Sequence, residues 1–141
     1  MTQTADDIIA ALDLSPHPEG GHYRQTWAAE NEGRPTGTCI YFLLKAGESS
    51  HWHTVDAVEI WLYHAGAPLI LSTAAAESGP AVDEVLGPDL AADQRPQRIV
   101  PQGHWQSART TGEWTLVSCT VSPGFQFDGF VLADPGFDIP R

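Results

Sequence analysis

The sequence predicts an all-β protein, an antiparallel sandwich or barrel that begins with one short helix. Thirteen glycines and eleven prolines divide the chain into short runs rich in valine, isoleucine, threonine and aromatic residues, and such runs between turn signals are typical of strands. Helical periodicity occurs only near the amino terminus. The connections between the runs are too short for the crossover helices that parallel strands require. Antiparallel pairing is therefore expected.

The helix is predicted over residues 4–13. Thr4 followed by Asp7 resembles a capping box, and Ile8, Ile9 and Leu12 form an apolar stripe at helical spacing. Strands are predicted over residues 22–28, 38–45, 57–65, 67–74, 81–86, 97–101, 104–109, 113–122 and 127–132. A single helical turn is expected at residues 88–92.

The predicted strand over residues 38–45 is apolar on both faces, because every residue from 39 to 44 is apolar or aromatic. A strand of this kind is covered on both sides, which favours a small barrel with a helix or a partner subunit outside it. We therefore expect a homodimer. Cys39 and Cys119 both lie in apolar runs and are predicted to be buried free thiols.

Composition limits the classes of partner. The 141 residues fit one domain over residues 1–141, and 7 basic against 18 acidic residues give a net charge of −11. This charge disfavours nucleic acid and anionic membrane surfaces as partners. The chain has no apolar run long enough to span a membrane, and its first ten residues do not resemble a secretory signal. A cytoplasmic protein is expected.

The segment His51-Trp52-His53 is the strongest indication of chemistry. Two imidazoles separated by one residue on an extended segment point to the same side, and Glu59 follows six residues after His53. A carboxylate from the next strand would complete three ligands on one side of a metal ion. Trp61 and Tyr63 share the strand face of Glu59 and are expected to form aromatic walls.

Several motifs resemble those of the cupin superfamily. Residues Gly47, His51, His53, Glu59 and Gly66 match most of the first cupin motif, although two of the gaps differ from it in length, and Pro101-Gln102-Gly103 resembles the start of the second. A closer resemblance, to a small single-domain cupin family of uncharacterised function, covers five segments in order: residues 16–27, 38–53, 56–69, 90–108 and 117–130. That family is similar in architecture to the dTDP-sugar 3,5-epimerase cupins. The resemblance implies a double-stranded β-helix, a jelly-roll barrel, with one short amino-terminal helix.

The resemblance also implies one divalent metal ion (Zn, Fe, Mn or Ni), but this sequence departs from the motif. Gln106 stands where the second motif has its histidine, and His104 lies two residues earlier on the same predicted strand face. The candidate metal ligands are His51, His53, Glu59, His104 and Gln106. Amide oxygen is a weaker ligand than imidazole for Zn or Fe, so a barrel without a cofactor is the alternative.

Other polar and aromatic residues are candidates for ligand binding. Glu19 and Arg24 flank a Gly-Gly turn that is either a plain surface turn or the lip of a pocket that orients a ligand. The remaining candidates for ligand binding are Tyr41, Trp61, Trp105 and Gln106. His17 and His22 are interpreted as solvent-exposed turn residues without a role.

Three functions remain open on the sequence alone. The first is an epimerase- or isomerase-like enzyme acting on a small polar or sugar-like molecule, with His53 as the base, Glu59 or Asp56 tuning it and Tyr63 or Tyr41 as the acid. The second is a metal-dependent cupin enzyme, an oxygenase, isomerase or lyase. The third is a module that binds a small molecule without turning it over. The shortage of lysine and arginine disfavours a nucleotide-sugar substrate in each case.

Overall fold

A computed structural model describes residues 3–141 of the chain. The amino-terminal helix α1 spans Ala5–Leu12 and has the predicted capping box. The Thr4 hydroxyl accepts from the Asp7 backbone N–H, and the Asp7 carboxylate accepts from the Thr4 N–H. Its apolar side, with Ile8 buried, packs on Leu43 outside the barrel. The helix therefore covers one face of the strand that the sequence predicted to be buried on both sides.

Six strands form the first antiparallel sheet, in the spatial order β1-β2-β3-β10-β5-β8. Their bounds are β1 Ser15–Pro16, β2 His22–Ala28, β3 Thr38–Lys45, β5 Val58–Gly66, β8 Gln97–Val100 and β10 Trp114–Ser122. Strand β10 pairs with β3 on one side and β5 on the other. Strand β10 therefore lies at the centre of the sheet.

Five strands form the second sheet, in the order β11-β4-β9-β6-β7. Their bounds are β4 Ser49–Val55, β6 Leu69–Ala74, β7 Val82–Leu86, β9 Trp105–Thr110 and β11 Phe130–Leu132. Two single 3-10 turns lie at Leu90–Ala92 and Phe127–Gly129. The first agrees with the predicted helical turn. The second replaces the first half of the strand predicted at 127–132.

A core between the two sheets closes one end of the barrel. Phe42, Trp61 and Val117 from the first sheet meet Leu69 and Leu71 from the second, all nearly without exposed surface. Close packing of this apolar cluster supplies the main stabilisation of the two-layer architecture. The core thus fixes the positions of the strands that carry the candidate site at the other end. No helix within residues 3–141 has both the length and the apolar character that crossing a membrane requires.

A β-bulge in β4 separates the two histidines of the His51-Trp52-His53 segment. Ser50 pairs with Ala108 of β9, whereas His53 pairs with Gln106, so β4 has one residue more than its partner strand over this stretch. An extra residue breaks the alternation of side chains and redirects those that follow it. His51 and Trp52 both line a groove on the outer side of the sheet, and His53 turns inwards.

Candidate functional site

A cavity of about 250 Å³ opens between the two sheets at the end of the barrel opposite the core. Four titratable side chains and one thiol line it: His17, Glu19, His53, Glu59 and Cys119. Apolar and aromatic side chains form most of the remaining wall: Tyr23, Ile40, Val55, Val121, Phe125 and Phe127. The cavity thus combines a polar floor with an apolar mouth, which is typical of sites for small molecules.

His53 presents one ring nitrogen to the cavity. Its side chain is buried, with 1% of the residue exposed, and Nδ1 lies 2.8 Å from the His51 carbonyl oxygen. A carbonyl only accepts, so Nδ1 carries the proton and Nε2 has a free lone pair. Burial lowers the pKa of His53, with the neighbouring Glu59 opposing that change. The imidazole is therefore a neutral acceptor at pH 7.

Glu59 is held by a buried chain of hydrogen bonds. The Trp61 indole N–H donates to the Gln106 amide oxygen at 2.9 Å, and the Gln106 amide nitrogen donates to Glu59 Oε1 at 2.8 Å. Trp61 therefore fixes which end of the Gln106 amide faces the carboxyl group. Burial raises the pKa of Glu59 to about 7, although nearby His53 lowers it. Glu59 exchanges a proton near neutral pH.

Glu19 reaches the cavity from a tight turn beside β4. Gly20 has a φ of +110°, and a Cβ atom there would lie 2.0 Å from the Ser49 carbonyl oxygen, so the turn requires glycine. The Glu19 carboxyl accepts from the Ser50 hydroxyl, and its Oε1 lies 3.7 Å from His53 Nε2. Burial raises the pKa of Glu19 to about 8, so this contact joins two uncharged groups at pH 7.

His17 lies beneath the same turn. Its Nδ1 accepts from the Glu19 backbone N–H at 3.1 Å, so a neutral ring carries its proton on Nε2. Burial, followed by repulsion from His53, lowers the pKa of His17 to about 4. The interpretation of His17 as an exposed turn residue is wrong, because the residue is buried and lines the cavity.

An aromatic cluster forms the mouth of the cavity. The Phe125 and Phe127 rings pack edge to face with centroids 5.0 Å apart, and His17 lies 4.4 Å from the Tyr23 ring. Phe130 packs on the inner imidazole, with its centroid 5.2 Å from that of His53. Phe127 is 53% exposed although it lines the cavity, so its ring lies between the cavity and solvent.

The structure brings some of the sequence-predicted site residues together. Glu19, His53 and Glu59 line the cavity. Gln106 and Trp61 lie behind Glu59, fully buried, and contact it only through the chain of hydrogen bonds. They can position Glu59 but do not themselves face a ligand.

Six other predicted site residues do not line this cavity: Tyr41, His51, Tyr63, His104, Trp105 and Arg24. His51 lies in the outer groove, where Nε2 is 2.8 Å from the Asp134 carbonyl oxygen. The Tyr63 hydroxyl donates to the Gly66 carbonyl oxygen at 2.6 Å, so it is not directed at His53. The expectation that these residues converge with His53 is therefore wrong.

Three of the four remaining residues make contacts elsewhere in the structure. Tyr41 packs with the helix on the outside of β3, Trp105 packs against Phe137 under the carboxy-terminal segment, and the exposed Arg24 lies 3.5 Å from the Leu12 carbonyl oxygen. Cys119 and the aromatic residues at the mouth were not predicted to line the site. Cys119 lies two residues from both Val117 and Val121 on β10, so the three side chains share one face of the strand. This spacing could have predicted that Cys119 points into the barrel.

The residues present do not provide the metal-binding set that the cupin motif implies. His51 faces the outer groove, His104 is not among the cavity residues, and the Gln106 amide oxygen already accepts from the Trp61 indole. Within residues 3–141, no three side chains of His, Cys, Asp or Glu are arranged to hold a metal ion. The chemistry available in the cavity is therefore that of the acid, imidazole and thiol groups themselves.

Comparison with known proteins shows which proteins share this architecture. The family described as Cupin superfamily (DUF985) matches residues 6–133, whereas no curated protein matches the chain. The crystal structure of a protein from Shewanella oneidensis is 42% identical, with a TM-score of 0.89 over 94% of this chain and 86% of that one. A hypothetical protein from Leishmania major is 29% identical, with a TM-score of 0.87 over 96% and 90% of the two chains.

More distant structures share the fold alone. A Bacillus subtilis oxalate decarboxylase is 13% identical, with a TM-score of 0.65 over 86% of this chain and 31% of that one. A Klebsiella pneumoniae protein with a double-stranded β-helix domain is 14% identical, with a TM-score of 0.61 over 86% and 90% of the two chains. These likenesses confirm the predicted double-stranded β-helix, and helix α1 confirms the predicted short amino-terminal helix. The chain belongs to the DUF985 family of the cupin superfamily.

Proposed function

We propose that the chain binds a small polar molecule without a negative charge in the cavity between the sheets, and that His53 and Glu19 transfer protons to and from it. The observation that carries this proposal is the free Nε2 of the buried His53, 3.7 Å from a Glu19 carboxyl oxygen at the cavity floor. The proposal keeps the isomerase-like interpretation of the sequence and replaces Tyr63 by Glu19 as the acid.

The two groups are suited to a proton transfer next to a carbonyl group. His53 Nε2 takes the proton from the carbon, the electron pair of that C–H bond moves to the carbonyl oxygen, and this oxygen receives the Glu19 proton. The products are an enol, an imidazolium and a carboxylate, and the two new charges stabilise each other in the buried site. For a 2-hydroxycarbonyl compound the enol is an enediol; the imidazolium gives its proton to the former carbonyl carbon, the other enediol hydroxyl returns its proton to Glu19, and the isomerisation is complete with both groups restored. Glu59, beside His53, stabilises the imidazolium.

A set of matched probes tests the binding site. Benzyl alcohol, benzylamine and benzoate share a ring and differ in charge, and methyl glucoside tests the sugar-like interpretation. Chemical-shift mapping is expected to place at least one of the uncharged or cationic probes at Tyr23, His53 and Phe125, and not benzoate. Val121→Phe fills the cavity and is expected to abolish these shifts, whereas Val82→Phe, on an exposed part of β7, is the control. The proposal fails if no probe shifts cavity residues, or if benzoate binds best.

Deuterium exchange tests proton transfer. Hydroxyacetone in D₂O is expected to exchange its C–H protons faster with the protein than without it, and His53→Asn is expected to lower the protein-dependent rate by about 100-fold. His51→Asn is a matched control, because His51 belongs to the same motif but lies in the outer groove. Equal rates in the two variants would refute the role of His53 and leave the binding proposal intact.

The homodimer stays a prediction, and light scattering on the purified protein measures it directly. A monomeric mass at all concentrations would contradict it.

A further inference from the structure

The floor of the cavity presents hydrogen-bond acceptors. We infer that the ligand carries a protonated nitrogen, an ammonium or amidinium group, which Glu59 and His53 bind while Phe125 and Phe127 contact its apolar body. This inference rests on the proposed binding site and names a class of molecule that occupies it as a bound ligand. An ammonium group on Nε2 leaves His53 without a lone pair for proton abstraction, so the proton transfer proposed above applies to uncharged carbonyl compounds.

The hydrogen bonds around Glu59 favour its ionised form. Gln106 can only donate to Glu59, because its amide oxygen is already held by the Trp61 indole N–H at 2.9 Å. A fixed donor on a carboxyl oxygen stabilises the carboxylate relative to the acid. The buried chain from Trp61 to Glu59 therefore prepares an acceptor for a group that comes from the cavity.

His53 adds a second acceptor beside the carboxylate. Its Nδ1 proton is directed at the His51 carbonyl oxygen, so the Nε2 lone pair faces the cavity. Within residues 3–141, Nε2 has no hydrogen-bond partner, since the Glu19 oxygen at 3.7 Å is beyond hydrogen-bond distance. Nε2 opens on the cavity, so a donor on the ligand can reach it and form a hydrogen bond. An ammonium group supplies three donors from one atom.

Charge favours the same ligand. Within residues 3–141, no lysine or arginine lines the cavity, and the chain as a whole has a net charge of −11. The field of such a protein concentrates small cations and repels anions. A cation that enters the cavity would offset the cost of an ionised Glu59 there, whereas a neutral molecule would not.

The mouth of the cavity suits the body of an organic cation. Phe125 and Phe127 pack edge to face, with ring centroids 5.0 Å apart, and Tyr23 lies on the same wall. Aromatic faces attract cations and also bury apolar carbon. A simple metal cation or ammonium ion would leave this wall unused, so an amine attached to a ring or short apolar group fits best.

Calorimetry with benzylamine and benzyl alcohol at pH 7 tests the inference. The two probes have nearly the same size, and only benzylamine is cationic. Wild-type protein is expected to bind benzylamine about 10-fold more tightly. Glu59→Gln is expected to remove this preference while benzyl alcohol still binds, and Glu77→Gln, an exposed substitution of the same type, is expected to leave it unchanged.

A second variant keeps the test decisive if Glu59→Gln does not fold. Phe127→Leu retains an apolar side chain at an exposed position but removes the aromatic face, and should weaken benzylamine about threefold relative to benzyl alcohol. Equal or tighter binding of benzyl alcohol to the wild-type protein would overturn the inference and leave the proposed function standing. A preference for benzylamine that survives both substitutions would also overturn it. Failure of both probes to bind would refute the binding site itself.

Discussion

Replacement of Glu19 by glutamine is expected to remove the contribution of one buried carboxyl group to the pH dependence of stability. The pKa of Glu19 rises from 4.5 to about 8 because the side chain is buried in the cavity wall. Between these two values the folded chain keeps a proton that the unfolded chain releases, so the free energy of unfolding decreases as pH rises. A tenfold change in an ionisation constant corresponds to about 1.4 kcal/mol. The full decrease attributable to Glu19 is therefore about 5 kcal/mol, complete above pH 8.

Urea denaturation followed by tryptophan fluorescence measures this effect at pH 5 and pH 7. Glutamine keeps the neutral shape of the protonated acid and can still accept from the Ser50 hydroxyl. Relative to the wild-type protein, Glu19→Gln should gain about 3 kcal/mol of stability between the two pH values. Glu77→Gln, at an exposed position, controls for the loss of one carboxyl group. The burial argument is refuted if the unfolding free energies of wild type and Glu19→Gln differ by the same amount at pH 5 and at pH 7.

Three further predictions concern the architecture around the site. Gln106→Leu leaves the buried Glu59 carboxyl and Trp61 indole without their partner, and should lower the unfolding free energy by about 3 kcal/mol in urea; a loss below about 1 kcal/mol would contradict the buried chain. Gly20→Ala forces a Cβ onto the Ser49 carbonyl oxygen at a positive φ, and should cost about 3 kcal/mol by the same measurement, whereas an unchanged midpoint would show that the turn can relax. Because only two of the predicted metal ligands line the cavity, neither ZnCl₂ nor EDTA should shift the melting temperature of the purified protein; a rise of several degrees with Zn²⁺ would show that the side chains rearrange into a metal site.

Local patterns were sufficient for most of the fold. The helix has the predicted capping box, and strands β2 and β3 have the predicted bounds, because glycine-containing turns lie on both sides of each strand. Strand β4 was not among the predicted strands, and the segment 127–132 was predicted less well. Its apolar and aromatic residues resemble a strand, but Phe127–Gly129 forms a 3-10 turn and only the last three residues pair with β4. Apolar composition alone does not show whether a neighbouring strand is available.

The candidate site depended more on long-range structure. His53 and Glu59 could be chosen from a motif and Glu19 from a Gly-Gly turn, because each signal is local. The burial of His17 comes from aromatic residues far along the chain, including Phe125 at a ring distance of 6.5 Å. Likewise, the direction of His51 depends on the residue count of the partner strand β9. Neither relation is visible in a short stretch of sequence.

The bulge in β4 has a consequence for the use of the cupin motif in annotation. Strand β4 has one more residue than β9 over this stretch, and because of it the two histidines of one motif lie on opposite sides of the sheet. Two proteins can therefore share every letter of that motif and yet differ in how many imidazoles enter the barrel. For relatives of this chain, the alignment of β4 with β9 is a better guide to metal dependence than the presence of the histidine pair.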